Sequence, residues 1–237
     1  MKELPNPTMP LSLIDVPRGS LHRHDLETQK ISGASQNTKS GSGLSVEWAK
    51  HQDQVREAQR LRYDVFATEM GARLKDSIPG HDIDLFDDFC EHLIIRDEMT
   101  EEVIGTYRVL TPAQAKRIGS TYSDLEFDLT RLRQYRERMV ELGRSCVHRD
   151  HRHGGVIMAL WGALAEFMVR NKLDVMIGCA SIPMLHQGVV SGEVAASIWH
   201  QLKQTHLATV ENQVTPRLAL PVEQWEVNDA FEPPALI

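Results

Sequence analysis

The chain has 237 residues, of which 41% are hydrophobic, and this is enough to bury the core of one domain of ordinary size. Its formal net charge of −7 argues against non-specific binding of nucleic acid. The longest apolar run, Val156 to Ala165, covers about half of the roughly 20 residues that a membrane-spanning helix needs. Three cysteines without C-x-x-C spacing indicate neither a disulfide framework nor a zinc site, and they favour a reducing cytoplasm.

The first 43 residues differ in composition from the rest. Pro, Ser, Gly, Thr and Asn dominate residues 1–43 and apolar periodicity is absent, so we expect a disordered or loosely attached tail. The folded domain should cover residues 44–237. It begins with a strand from Leu44 to Ala49 and a helix whose apolar residues recur at helical spacing between Val55 and Phe66.

Strands and helices alternate along the remainder of the chain. An acidic, irregular segment separates the first helix from two strands, and a later strand, helix and strand form a β-α-β unit that should be right-handed, with parallel or splayed strands. This alternation predicts an α/β layered domain with its ligand beyond the carboxyl end of the strand before the helix. The predicted ranges are 73–91 for the acidic segment, 92–96, 103–110, 139–148 and 174–181 for strands, and 156–171 and 192–205 for helices.

The segment from Glu141 to Gly155 is the most informative part of the chain. It combines a strand, a polar turn and the start of a helix, and consecutive backbone N–H groups that open into a helix N-terminus can hold a phosphate. We therefore expect a phosphate-bearing carrier such as pantetheine to bind here. The residues assigned to this binding are Cys146, Val147, His148, Arg149, Arg152, His153, Gly154 and Gly155.

Basic residues are concentrated around the same turn. Between Arg131 and Arg152, seven arginines face three acidic residues, and His148, His151 and His153 lie within this stretch or directly after it. An acidic partner could dock on this surface, or the surface could be solvated and without consequence. The histidines lack acidic or cysteine partners at ligand spacing, so we predict no metal site.

Several segments, taken in order, resemble the GNAT acyltransferase superfamily, and within it the ornithine-lipid N-acyltransferase branch, which is sometimes labelled hemolysin-like. The pattern is also similar to that of acyl-homoserine-lactone synthases. The matching segments are 60–66, 82–87, 90–93, 105–110, 126–129, 141–148 and 178–181.

The resemblance implies an α/β fold with a GNAT-like mixed sheet flanked by helices. It also implies transfer of a (3-hydroxy) fatty acyl group from acyl carrier protein (ACP) to the α-amine of ornithine, which gives lyso-ornithine lipid. The donor's phosphopantetheine would then be a substrate and no cofactor would be permanently bound. A lipid product further implies peripheral contact with the inner face of the membrane. Family members continue beyond the segment that ends here at Ile237, so we expect the last strands of the sheet to be missing.

One departure from the superfamily pattern concerns the donor. The carrier loop of the superfamily reads Gln/Arg-x-x-Gly-x-Gly/Ala, and Arg152 and Gly155 match its first two anchors, whereas Ile157 replaces the third. A bulkier residue there weakens close approach to the pyrophosphate of CoA. An ACP-borne pantetheine carries a single phosphate, so this departure favours ACP over CoA.

The candidate catalytic residues are Glu141 and Arg144. An amino acid acceptor is cationic at neutral pH and must lose a proton before it attacks a thioester, so a nearby carboxylate can act as the base. The alternative is that Glu141 only pairs with Arg144 to hold the strand. Residues three apart on a regular strand point to opposite faces, so a shared site predicts a β-bulge between Leu142 and Ser145.

The acidic segment supplies the candidate acceptor site. Asp82, Asp84 and Asp87 could bind the two amines of ornithine, or they could form a solvated acidic loop. Arg62 and Arg108 could bind the acceptor carboxylate, order the acids, or be ordinary surface arginines. The family resemblance adds Phe66 to the candidate acceptor-binding residues.

Alternatives exist for both the mechanism and the function. A covalent mechanism through Cys146 is disfavoured, because a cysteine alternating with aliphatic residues on a strand usually behaves as a small buried hydrophobe. The alternatives to the ornithine acyltransferase are an acyl-homoserine-lactone-type synthase that uses S-adenosylmethionine and a catalytically silent GNAT-like binding protein.

Overall fold

A six-stranded mixed sheet forms the centre of the fold in the computed structural model, which describes residues 38–39, 43–74, 78–152, 154–182, 184–186, 188–228 and 231. The strands are β1 Thr38–Lys39, β2 Leu44–Trp48, β3 Glu91–Asp97, β4 Val103–Leu110, β5 Phe127–Asp128, β6 Met139–Val147, β7 Val175–Ile177, β8 Leu185–His186, β9 Val189–Val190 and β10 Thr215–Pro216. The α-helices are α1 Gln52–Tyr63, α2 Pro112–Ile118, α3 Ser123–Glu126, α4 Gly155–Arg170 and α5 Glu193–His206.

The order of the strands places β6 next to the edge of the central sheet. Strands follow each other as β1-β2-β3-β4-β6-β7, all neighbours are antiparallel except β6 and β7, and that last pair is parallel as predicted. The register joins Met139 to Glu141 of β6 with Val175 to Ile177 of β7. Strand β7 is therefore shorter than the predicted range 174–181, and the pairing covers only the first third of β6. The carboxyl-terminal part of β6 borders an opening in the sheet.

Helix α4 covers one face of the sheet and builds the main core. Val156, Leu160 and Leu164 are buried against aliphatic residues of β3, β4 and β6. The helix lies very close to β4, because a Cβ atom added at Gly105 would lie 2.5 Å from Val156 Cγ1. Trp161 of this helix is 40% exposed, and its ring meets the ring of Tyr107 edge-on.

Helix α1 covers the opposite face and continues into an irregular turn. It packs on β3, β4 and β6, and Leu61 and Val65 bury Cys146 of β6. The helix starts from an N-cap at His51. From Asp64 to Glu69 the hydrogen bonding becomes that of a π-helix, a rare conformation that is frequent at functional sites.

Two predictions concern the ends of the chain. Thr38 and Lys39, inside the predicted tail, pair with Val46 and Ser45 of β2. The rest of residues 1–42 lies outside the described residues. Helix α5 confirms the predicted helix 192–205, and the later strand β10 pairs with β5 rather than with the central sheet. Among the described residues, no helix combines the length and the apolar character needed to cross a bilayer.

Candidate active site

Strand β6 contains the predicted β-bulge. Thr106 and Arg108 of β4 pair with Cys146 and Gly143, so two residues of β6 stand opposite the single residue Tyr107. The two bulged residues are Arg144 and Ser145. Arg144 has a φ of +52°, a left-handed conformation that is uncommon for residues other than glycine. This irregularity between Leu142 and Ser145 confirms the prediction.

The bulge brings Glu141 and Arg144 to one cleft. The core under α4 contains Val140 and Leu142 before the bulge and Val147 after it. The residues that face α4 are therefore even-numbered before the bulge and odd-numbered after it, because the bulge adds one residue to the strand. Glu141 and Arg144 consequently line the same open cleft of about 400 Å³, which includes solvent at its mouth. The remaining lining residues are Phe86, Cys90, Arg108, Leu110, Tyr122, Leu142, Gly143 and Cys179.

Glu141 is buried and held by backbone amides. Its Oε2 accepts a hydrogen bond of 2.7 Å from the Tyr122 N–H, and its Oε1 accepts one of 2.6 Å from the Ser123 N–H. The side chain therefore fixes the segment that leads into α3 and places Tyr122 at the cleft. In the described residues Glu141 makes no ion pair with Arg144, so the alternative in which these two residues pair with each other is wrong. Each carboxylate oxygen keeps a second lone pair with which it can accept a proton.

A cluster of three aspartates and three arginines lies beside the cleft; we call it the acid–arginine cluster. Arg62 is its centre, with a fully buried side chain that donates to Asp82 Oδ2 at 2.8 Å and to Asp87 Oδ1 at 2.8 Å. Arg108 donates to Asp84 Oδ1 at 2.6 Å. The members are Arg62, Arg108, Arg144, Asp82, Asp84 and Asp87.

The cluster corrects two readings of the acidic segment. Asp82 and Asp87 are buried, so they do not belong to a solvated acidic loop. Arg62 is neither a surface arginine nor exposed enough to meet an acceptor carboxylate, and its role is to order the acids. Burial would raise the pKa of Asp87, but the adjacent Arg62 guanidinium outweighs burial and holds that pKa well below its usual range. The pKa of Arg108 is raised, because attraction by Asp84 and Asp87 outweighs its burial.

Arg144 is the most accessible arginine of the cluster. Its side chain is 27% exposed, its Nη2 lies 3.3 Å from Asp84 Oδ2 and its guanidinium lies over the ring of Phe66, 5.9 Å from the centroid. Its Nε lies 2.9 Å from Asp82 Oδ2 but has no partner with hydrogen-bond geometry among the described residues. Phe66, which the family pattern assigns to the acceptor site, thus contacts the catalytic candidate Arg144.

The predicted carrier turn leads into the N-terminus of α4. Arg149 to His151 form a short 3-10 turn after β6, and Gly154 has a φ of +94° at the N-cap. Only glycine adopts that conformation at little cost, and the first amides of the helix have no partner within it. A phosphate at this point would meet the N–H groups of the first helical turn. His153, also assigned to the turn, lies outside the described residues.

The arginines of the turn are already paired with Glu69. Arg152 forms a bidentate ion pair with Glu69 at the end of the π-helix and donates to the Val147 carbonyl at 3.0 Å, while Arg149 Nε lies 4.0 Å from Glu69. The hydrogen bonds from Arg152 lower the pKa of Glu69. The predicted basic surface therefore carries less unpaired positive charge than the number of arginines in the sequence implies. Elsewhere in it, Arg136 pairs with Asp124 and Arg138 pairs with Asp174.

Cys146 is a small buried residue of the core, as the sequence predicted. Its side chain is buried against Leu61 and Val65, so only its backbone could contact a carrier. Burial raises the pKa of the Cys146 thiol to about 12, which keeps it protonated and confirms its description as a small hydrophobe. The described residues include no group of three or more His, Cys, Asp or Glu residues arranged to hold a metal ion.

Sequence reasoning missed three residues near the cleft. Tyr122 and Ser123 hold Glu141 through their backbone, and Glu69 holds the carrier turn. Backbone donors leave no signal in side-chain patterns. The sequence gave no indication that the partner of Glu69 is 83 residues away.

Comparison with known proteins adds to this geometry. Residues 61–162 match the family model described as acetyltransferase (GNAT) domain. The chain is 39% identical over 143 residues to the L-ornithine N(alpha)-acyltransferase of Rhodobacter capsulatus, covering 57% of this chain and 55% of the relative. It is 36% identical over 156 residues to the enzyme of the same name from Brucella abortus, covering 60% of this chain and 56% of the relative.

These matches are partial. The chain spans about half the length of the curated relatives it matches. Among solved structures it is similar to the acyl-homoserine-lactone (AHL) synthase LasI, with 18% identity and a TM-score of 0.44 over 58% of this chain and 72% of that chain. Similarity at that level bears on neither substrate nor activity.

Proposed function

We propose that this chain is an N-acyltransferase that moves a fatty acyl group from ACP to the α-amine of ornithine and so makes lyso-ornithine lipid. The observation that carries the proposal is the cleft in which the bulge joins Glu141 to Arg144, next to the acid–arginine cluster. The names of the relatives support ornithine as the acceptor. The opening beside β6 and the N-terminus of α4 support a donor with a phosphopantetheine arm.

The proposed reaction is a direct attack by the amine. Glu141 takes a proton from the α-ammonium, directly or through a water molecule, and the neutral amine attacks the thioester carbonyl. A nitrogen–carbon bond forms, the carbon–sulfur bond breaks, and the carrier leaves as a thiolate that a proton neutralises. Backbone N–H groups at the bulge would stabilise the oxyanion. Burial raises the pKa of Cys90, a thiol at the cleft, to about 12, which disfavours an acyl-enzyme.

The choice of ACP as donor rests on Ile157 and on the exposed Arg149. A CoA pyrophosphate needs close approach at the position of Ile157, whereas a single phosphodiester does not. Arg149 is 61% exposed beside the carrier turn and can meet an acidic carrier protein.

Contact with a membrane is the last part of the proposal. Met158, Trp161 and Val169 are exposed at helical spacing along α4, and such an apolar stripe can rest on a lipid surface. Co-sedimentation with anionic vesicles should be lost in Met158→Glu together with Val169→Glu. Unchanged sedimentation of that variant would remove this surface from the proposal.

An acceptor panel tests the proposed function. Purified protein is incubated with 3-hydroxyacyl-ACP and, in separate reactions, with ornithine, lysine, glutamine, glycine or S-adenosylmethionine, and mass spectrometry follows the amide. We expect an amide with ornithine, and its absence in Glu141→Ala. A lactone from S-adenosylmethionine would favour the AHL-type synthase. Unchanged acyl-ACP with every acceptor would favour a silent binding protein, and acyl-CoA run in parallel tests the donor.

A further inference from the structure

The acid–arginine cluster contains one weakly held ion pair. Asp87 uses Oδ1 for Arg62 Nη1 at 2.8 Å and for Arg108 Nη1 at 3.2 Å, and both its side chain and that of Arg62 are 3% exposed or less. The pair of Arg144 with Asp84 differs, since the two side chains are 27% and 23% exposed and 3.3 Å apart. A ligand in the cleft can therefore reach this pair without opening the buried part of the cluster.

Arg144 is also the least satisfied arginine of the three. Its buried Nε lies 2.9 Å from Asp82 Oδ2, but without hydrogen-bond geometry among the described residues, so its Nη2 contact with Asp84 is the part of its pairing that a ligand can reach. Its backbone is held in the left-handed region at a bulge, and its guanidinium rests on the Phe66 ring. A partly exposed guanidinium whose outer nitrogen is held at 3.3 Å can bind a second carboxylate through its remaining N–H groups.

Charge balance adds a constraint on any cationic ligand. The three aspartates are neutralised by three arginines, so an ammonium group finds no net negative charge in the cluster as it stands. Burial of Arg62 and Arg108 excludes their departure. Arg144 is the arginine that can be exchanged.

We propose that Arg144 is an exchangeable counter-ion that selects the acceptor. The side-chain ammonium of a diamino acid replaces its guanidinium on Asp84, and the released guanidinium binds the carboxylate of the same ligand. The α-amine is then left for Glu141. This deepens the proposed function, on which it rests for an amino acid acceptor. It explains how a neutral cluster can prefer an acceptor with both a second ammonium and a carboxylate.

Binding of three small ligands, measured by calorimetry without any acyl donor, tests the exchange. L-Ornithine carries both groups, 1,4-diaminobutane lacks the carboxylate, and L-norvaline lacks the side-chain ammonium. In Arg144→Met we expect 1,4-diaminobutane to bind at least about tenfold more tightly than in the wild type, because a competing cation at close range is gone. L-Norvaline should bind at least about tenfold more weakly, because a charged carboxylate contact is lost.

Asp84→Asn removes the anion of the same ion pair instead of the cation, and it tests the exchange independently if Arg144→Met does not fold. It should abolish binding of 1,4-diaminobutane and tighten that of L-norvaline, because Arg144 is then free for the carboxylate. Arg144→Lys, which keeps the charge, should resemble the wild type with the diamine. Equal diamine affinity in wild type and Arg144→Met, or weaker L-norvaline binding in Asp84→Asn, overturns the exchange. Absence of acyl transfer to ornithine with the binding pattern intact would instead refute only the proposed function.

Discussion

Arg62 offers a test of the cluster that depends on no assumption about substrates. Its guanidinium is fully buried and donates to Asp82 Oδ2, to the Asp82 carbonyl and to both carboxylate oxygens of Asp87, at 2.6 to 3.0 Å. Replacement by methionine keeps much of the volume but leaves buried carboxylates without their main partner. Breaking a buried pair in this way costs about 3–5 kcal/mol of unfolding free energy. In a domain of this size that lowers the midpoint of thermal unfolding by about 6–20 °C.

The unfolding free energy lost in Arg62→Met should depend on pH, and the shifted pKa of Asp87 determines the direction of that dependence. Because Arg62 lowers the folded-state pKa of Asp87 below its unfolded value, the carboxylate contributes stability above the unfolded pKa, and this is lost as the pH falls towards the folded pKa. In Arg62→Met, burial is opposed by Arg108 without Arg62, so the folded-state pKa of Asp87 should rise above its wild-type value. The difference in stability between wild type and variant should therefore be largest near pH 7 and shrink towards pH 4.

Urea unfolding at several pH values, followed by circular dichroism, measures this difference. Arg60→Met serves as the matched control, since Arg60 is an exposed residue of the same helix and should change the unfolding free energy by less than about 0.5 kcal/mol. A loss below about 1 kcal/mol in Arg62→Met at pH 7, or a loss that grows as the pH falls, would refute the account of the cluster.

Three further predictions concern the cleft and its surroundings. Glu141→Ala should lower kcat for amide formation by about 10²- to 10⁴-fold if it is the base, and a fall in kcat of less than tenfold at saturating substrates would argue against that role. Gly105→Ala should cost about 1–3 kcal/mol in urea unfolding, because its Cβ would lie 2.5 Å from Val156 Cγ1; Val156→Ala in the same chain should recover part of the loss, and a neutral Gly105→Ala would contradict the close packing of α4. Arg149→Glu with Arg152→Glu should raise the KM for acyl-ACP at low salt, whereas Arg133→Glu, an exposed residue before β6, should not; equal KM values for both variants would remove ACP docking from the turn.

The sequence contained enough information to predict the elements and the bulge. Apolar periodicity predicted α4, α5 and most strands within a few residues, because those elements bury one continuous face. The bulge followed from requiring Glu141 and Arg144 to share a site, three residues apart on a strand. The short β7 was not predictable, since its length depends on where the chain leaves β6 rather than on its own apolar pattern.

The partners of charged residues were harder to predict than the elements. A count along the sequence between Arg131 and Arg152 indicated an open basic surface, but Asp124, Asp174 and Glu69 neutralise part of it from other elements. The acidic segment likewise looked solvated until the fold placed Arg62 against it. In both cases the residue type was visible in the sequence, whereas its partner was fixed only by tertiary structure.

The π-helix from Asp64 to Glu69 connects the proposed acceptor site with the predicted carrier turn. The helical segment that contains Arg62 and Phe66, two candidates for the acceptor site, ends at Glu69. Glu69 forms an ion pair with Arg152 of the predicted carrier turn. Deleting one residue within the helical segment would turn Glu69 about 100° around the helix axis and detach it from that turn. Under the proposed function, acceptor choice and donor binding would be coupled, and we expect a change made to one through this segment to affect the other.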